Sequence, residues 1–322
     1  MFKIAVKEAL NFTRPLATGF YYFDKKIING LSTLIVLNNE GDILTTASIA
    51  SLFKLQDELK ETYLPIYEEL KSLKGRKLTK KLDEYGIKDE TLTDILNIII
   101  DIAENPGKVN IIKHEYLNLA VIKFSNHENV LVKDFPKFNK NYEIGQSTCT
   151  VGFAFPEYKA FTYDEKNRTL KSDFKVMNFP IFPVESIITR NIFDAKENIS
   201  MFELSSPVED GMESAPVLNT NGEILGIALG NKKTGNRTLS YAITSSIITK
   251  FLKENKKAEY TIMFMNKTLN KHLKEIQETA QARVDLIVEQ LKKGNNLTEE
   301  MKNTNQLYWV GMMNNFKNEA ER

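Results

Sequence analysis

The chain has 322 residues, 42% of them hydrophobic and 26% charged, enough to build a proper core in one large domain or two modest ones. Its 43 Lys and Arg against 42 Asp and Glu leave a formal net charge of +1, so no global field gathers nucleic acid or an anionic membrane, and neither is an expected partner. The opening "MFKIAVKEALNFTRP" lacks the apolar core of a signal peptide, no run approaches the ~20 apolar residues of a spanning helix, and the single cysteine, Cys149, has no partner in the chain; the expectation is a cytoplasmic protein without disulfides.

Residues 1 to 50 read as β: "TGFYYF", "LSTLIVLN" and "DILTTASIA" are short β-branched and aromatic runs separated by turn material such as Asn38-Asn39-Glu40-Gly41. From about Leu52 to Asn105 the spacing turns helical. Leu55, Leu59 and Tyr63 form one row, Ile66, Leu70 and Leu73 another, and Leu92, Ile95, Leu96 and Ile99 a third, which predicts three helices. Strand signals return from Val109 to Ile248, in "NIIKHEYLNLAVIKF", "STCTVGFAF", "ISMFEL", "APVLNTNGEILGIALG" and "LSYAIT". Turns such as Asn221-Gly222 join these runs as antiparallel hairpins without βαβ crossovers, so a barrel or sandwich is expected, with Cys149 buried in one strand. The end of the chain is helical again. Met265, Leu269, Leu273, Ile276, Ala280, Val284, Ile287 and Leu291 recur every three or four residues before Gly294-Asn295-Asn296, and Leu307, Tyr308, Met312 and Phe316 mark a last helix.

Read in order, five segments resemble the trypsin-like peptidases, in particular their bacterial high-temperature-requirement branch. "ATGFYYF" is similar to the family's G-T-G-F strand, "GDILTTASIA" to G-x-I-L-T-N-A-H-V-V, and "YLNLAVIKF" to T-D-L-A-V-L-K-I. "DGMESAPVLNTNGEILGIALG" is similar to P-G-N-S-G-G-P-L-L-N-x-x-G-x-V-I-G-I-N, and "LSYAITSSIITKFLKE" to the F-A-I-P strand and closing helix, across roughly residues 14 to 254. The resemblance implies a mainly β, chymotrypsin-like double β-barrel, with a helical insertion at about 52–105 and a C-terminal α-helical extension. The implied division is 1–255 for the trypsin-like part and 256–322 for the extension.

The family's chemistry needs a serine nucleophile, a histidine base and an aspartate that orients the base. The resemblance puts the histidine position on Ser48, the aspartate position on Asn118 and the serine position on Glu213, so none of the three is kept. A hydroxyl at 48 does not take a proton near neutral pH as an imidazole does, an amide at 118 carries no charge, and a carboxylate at 213 is a weak nucleophile toward amides. The turn Gly211-Met212-Glu213 reads as a vestigial oxyanion hole, whose N–H donors the Glu213 carboxylate is placed to fill. Two neighbours offer a displaced relay, Ser214 beside Glu213 and His114 four residues before Asn118. His127 and His272 read as exposed polar residues. No grouping of His, Cys and acids has metal-ligand spacing, so neither a metal nor another cofactor is expected.

Other features point to binding. Ile227-Ala228-Leu229-Gly230 reads as a candidate edge strand for an extended peptide held by backbone hydrogen bonds. The basic run Lys71, Lys74, Arg76, Lys77, Lys80 and Lys81 reads as a solvated helix end. Leu307, Tyr308, Trp309, Met312 and Phe316 supply the aromatic and Met content of an interface, making the tail the candidate surface for a protein partner or a second copy. The leading expectation is a catalytically inactive trypsin-fold protein serving as a protein-binding or regulatory subunit. A hydrolase using Ser214 or Ser48, and a structural protein that self-assembles through its tail, are the competing readings.

Overall fold

The computed structural model describes all residues except 101–107, 126–133, 155–160, 173–178, 194–199, 235–236, 266–268 and 321–322, and only the backbone at 234, 237, 257–265, 269–273, 275 and 276. His127 and the turn at 235–236 thus lie outside the described residues, as do the side chains of Met265, Leu269, His272, Leu273 and Ile276. The chain forms two compact units, Met1–Leu252 and Lys253–Arg322.

The first unit opens with helix α1 (Lys3–Phe12), which the β reading of residues 1–50 missed; Phe2, Ala5, Ala9 and Phe12 recur at helical spacing and are buried. Strands β1 (Thr13–Tyr22), β2 (Ile27–Val36) and β3 (Asp42–Thr45) follow where the sequence placed them. The third run then turns into helix α2 (Ala47–Leu70), joined to α3 (Arg76–Tyr85). The third expected helix is strand β4 (Leu92–Ile99). Its apolar residues fit either period, and the β-branched density of "TLTDILNIII" together with an open flank on β1 decides for the strand. Strands β5 (Val109–Lys113) and β6 (Ala120–Phe124) complete a six-stranded antiparallel sheet in the order β4-β1-β2-β3-β6-β5.

The second half of this unit contains β7 (Ser147–Phe153), a separate hairpin of β8 (Phe161–Asp164) and β9 (Thr169–Ser172), then β10 (Ile181–Ile192), β11 (Met201–Leu204), β12 (Pro216–Leu218), β13 (Ile224–Thr234) and β14 (Arg237–Thr244). All but the hairpin close into a barrel, β10-β11-β14-β13-β12-β7. Numbered one to six in chain order, the strands of both halves follow the same permutation, 4-1-2-3-6-5; the second half also pairs its fourth and fifth strands, β12 with β13. Two six-stranded antiparallel halves with one shared topology make this a mainly β protein of chymotrypsin type. One apolar core runs from α1 and the first sheet into the second barrel through Val151, Leu218, Ile227 and Ile243, while a second fills that barrel around Phe202 and Leu204. Cys149, on β7, is buried, and burial pushes its thiol up to about 11.

Helix α4 (Ser245–Met265) carries the chain into the second unit, built from α5 (Leu269–Gly294), α6 (Glu299–Thr304) and α7 (Gln306–Ala320). Val288, Leu297 and Phe316 form its core, with Val284, Leu291, Trp309, Met312 and Met313 packed around them. No described helix is long and apolar enough to cross a membrane.

Thr33 of β2, fully buried, ties the two halves of the first unit together. Its N–H donates to the Glu213 carbonyl (3.2 Å), its hydroxyl donates to the Gly211 carbonyl (3.2 Å), and the same oxygen accepts from Phe153 N–H (3.0 Å). Thr33→Val keeps the shape and leaves the Phe153 donor and the Gly211 acceptor unmet. The expected outcome in urea unfolding is a loss of about 1–3 kcal/mol, and an unchanged midpoint contradicts the bridging role.

Candidate functional site

The site is assembled around the N-terminus of α2, whose first turn presents N–H groups without intrahelical partners. Thr46 is the N-cap and its Oγ1 accepts from Ile49 N–H at 3.4 Å. The Asn118 Oδ1, from the loop between β5 and β6, accepts from Ser48 N–H at 2.9 Å. The Ser214 Oγ, from the turn before β12, accepts from Thr46 N–H at 2.7 Å. Three segments distant in sequence thus meet one helix end.

Glu213 enters the same cluster. Its Oε1 accepts from the Ser48 hydroxyl at 2.5 Å and from the Thr46 hydroxyl at 2.8 Å, and the Asn118 amide donates to Ser48 Oγ at 3.2 Å. A carboxylate at the start of a 24-residue helix is also favoured by the helix dipole. Ser48, Asn118 and Glu213, far apart in the chain, are therefore joined directly by hydrogen bonds. Ser48 and Asn118 are exposed and Glu213 is half-buried.

The turn carrying Glu213 is rigidly specified. Gly211 has φ +98°, and a Cβ there would lie 2.6 Å from the Phe153 carbonyl oxygen. Met212 is buried in the second-barrel core and anchors the turn. Ser214 takes φ +69°, unusual for a residue with a side chain, and its fully buried Oγ also meets Thr45 Oγ1 at 2.9 Å. Among the described residues the N–H groups of Gly211 and Glu213 have no partner. The Glu213 carboxylate binds the α2 hydroxyls instead of filling that pair of donors.

The other candidates fall elsewhere. Ser214 Oγ has no free approach, and His114 is turned onto its own loop, with Nδ1 accepting from the N–H groups of Tyr116 (3.4 Å) and Leu117 (3.3 Å) and the ring against Phe251. Ile227 and Ala228 are interior to the barrel rather than on a free edge. Ile227 is flanked by Pro216 and Ile243; Ala228 pairs with Ala242, donates to the Ala215 carbonyl and accepts from Ser214 N–H, both at 2.9 Å. Leu229 and Gly230 sit in a bulge lining an open cavity of about 470 Å³ with Arg190, Met201 and Tyr241. Beside it Asn231 laces the strand to the turn: its Oδ1 accepts from Val208 N–H (3.1 Å) and Ser240 Oγ (2.6 Å), and its amide donates to the Val208 carbonyl (2.7 Å). In the second unit Trp309, Met312 and Phe316 pack inward, leaving Leu307 (90% exposed) and Tyr308 (53%) outward. Sequence reasoning missed Thr33, Thr46 and Asn231; threonine and asparagine announce nothing by type, and only "TTAS" before a helical row signals a cap.

Among the described residues no cluster of three or more His, Cys, Asp or Glu is arranged to hold a metal. Comparison with known proteins adds two kinds of similarity. Residues 240–322 match the family model of the transposon-encoded protein TnpV, a stretch well short of half the chain. Solved structures with a similar fold include a variant of the HtrA-type protease AlgW with a tripeptide (12% identity, TM-score 0.43, covering 79% of this chain and 62% of that one). Another is the serine endoprotease from Yersinia pestis (14% identity, TM-score 0.41, covering 79% and 66%). The chain spans less than two thirds of the length of either. No curated protein matches it by sequence.

Ser214→Ala removes the acceptor of a buried N–H at the helix start. The expected result is a loss of about 1–3 kcal/mol in chemical unfolding, whereas a neutral substitution contradicts the capping role.

Proposed function

We propose that this chain is a catalytically inactive trypsin-fold protein, a pseudoprotease, that acts as a protein-binding or regulatory subunit. The observation that carries the reading is the cluster at the family's catalytic positions: Ser48, Asn118 and Glu213 bind one another and the N-terminus of α2, with no imidazole among them. A relay needs a group that takes the nucleophile's proton near neutral pH, and a carboxylate bound by two hydroxyls is a poor base for an alcohol. The buried Ser214 and His114, turned onto its own loop, support the same conclusion. The tail supports a protein partner: it is a compact unit, and it exposes Leu307, Tyr308 and Val310.

One observation favours a second reading. The Ser48–Glu213 contact at 2.5 Å is also the geometry of a hydroxyl nucleophile beside a carboxylate base, with Ser48 exposed. A fluorophosphonate probe on the full chain separates the two. The inactive reading expects no covalent label and no turnover of casein or a peptide library; labelling lost in Ser48→Ala transfers the assignment to a hydrolase. Leu307→Asp on the exposed tail is expected to abolish a co-purifying protein complex without shifting the melting temperature. Retention of the complex removes the tail from the binding role, and a mass that rises with concentration in the absence of other proteins assigns it to self-assembly.

A further inference from the structure

The β8–β9 hairpin belongs by sequence to the second half but is fastened to the first sheet. The Phe161 ring lies over Gly19 of β1, where a Cβ would be 2.6 Å from the ring, and Tyr163 stacks on Tyr21 with centroids 3.7 Å apart. Leu170 N–H donates to Asp94 Oδ2 of β4 at 3.0 Å. Lys25 pairs with Glu165 (2.7 Å), and Arg168 lies 3.3 Å from Glu68 and over the Tyr67 ring. Asp94 is the anomaly in this contact. It is 5% exposed, and among the described residues its carboxylate meets the N–H groups of Leu170 and Ile95 (2.9 Å) and no cation within hydrogen-bond distance.

We propose that docking of the β8–β9 hairpin is a proton-linked latch in which Asp94 holds the proton. Every element packed on Asp94 supplies a group that offers little compensation for its charge. Tyr21 comes from β1, Tyr67 from α2 and Tyr163 from β8; each is held neutral by burial, Tyr21 up to about 12. Lys60 of α2 acts on the carboxylate from a distance, and Arg168 is engaged by Glu68 and Tyr67. Burial accordingly raises the Asp94 pKa, against the opposing effect of its two backbone donors. An acid whose pKa is higher in the docked state holds its proton more tightly there. Docking is therefore strongest below the ordinary Asp value of about 3.9 and weakens as pH rises to the raised docked value. The Lys25–Glu165 and Arg168–Glu68 pairs respond in the opposite sense, since they lose charge in acid. Replacing Asp94 alone separates the two effects.

The test follows the exchange protection of the Leu170 amide in the full chain by NMR, corrected for the intrinsic pH dependence of exchange. In the wild-type chain protection is expected to fall by about tenfold per pH unit between the two Asp94 values and then level off. In Asp94→Asn, which removes the charge and keeps one of the two acceptor oxygens, the protection, whatever its level, is expected to lose that fall with pH. A flat wild-type profile, or an equal fall in the variant, overturns the latch. Where the variant does not fold, the carboxyl carbon shift of Asp94 in the wild-type chain decides: a midpoint clearly above about 3.9 supports the proposal and one at or below it overturns it.

Discussion

The first unit depends on how the N-terminus of α2 is satisfied. A helix of 24 residues begins where the two barrel halves meet, and its leading N–H groups and partial positive charge need acceptors there. Thr46, Asn118 and Ser214 supply them from three separate segments, and Glu213 binds the two hydroxyls that project from the helix start. The Asn118 and Ser214 contacts each join a loop to the same point, so the way these segments meet follows from a capping requirement. Ser48, Asn118 and Glu213 are thereby used to hold structure at this helix end.

That capping cluster needs a turn delivered at fixed height from the second barrel. Gly211 gives the backbone a conformation and an approach to Phe153 that a side chain would block, Met212 roots the turn in the core, and Thr33 clamps two of its carbonyls from the first sheet. Ser214 accepts a strained backbone because its hydroxyl is bonded on two sides. The shared strand permutation of the two halves sets the frame in which these segments meet. The β8–β9 hairpin and the terminal helices lie outside that permutation.

Much of the architecture was legible in the sequence, for identifiable reasons. The strands of "TGFYYF", "LSTLIVLN" and "STCTVGFAF" carry dense β-branched and aromatic runs between turn residues, and the terminal helices show unbroken three- and four-residue spacing. The convergence of Ser48, Asn118 and Glu213 followed from matching whole segments in order. Residues 92–99 were not legible as a strand, because a short apolar run fits both periods and the deciding factor is the open flank of β1. The same cause misplaced Ile227 and Ala228 on an edge: extended character does not reveal that β12 and β14 cover both sides. Thr33 and Asn231 escaped because a hydroxyl or amide takes its role from partners that sequence spacing does not reveal, Gly211 and Phe153 for Thr33, Val208 and Ser240 for Asn231.

The most direct test is a double-mutant cycle in chemical unfolding built from Ser48→Ala, Glu213→Ala and the pair. If Ser48, Asn118 and Glu213 form a structural cluster across the two halves, Ser48 and Glu213 are coupled in stability by about 0.5–3 kcal/mol, the range for side chains in one hydrogen-bond network. Single substitutions that simply add, with no coupling, contradict it.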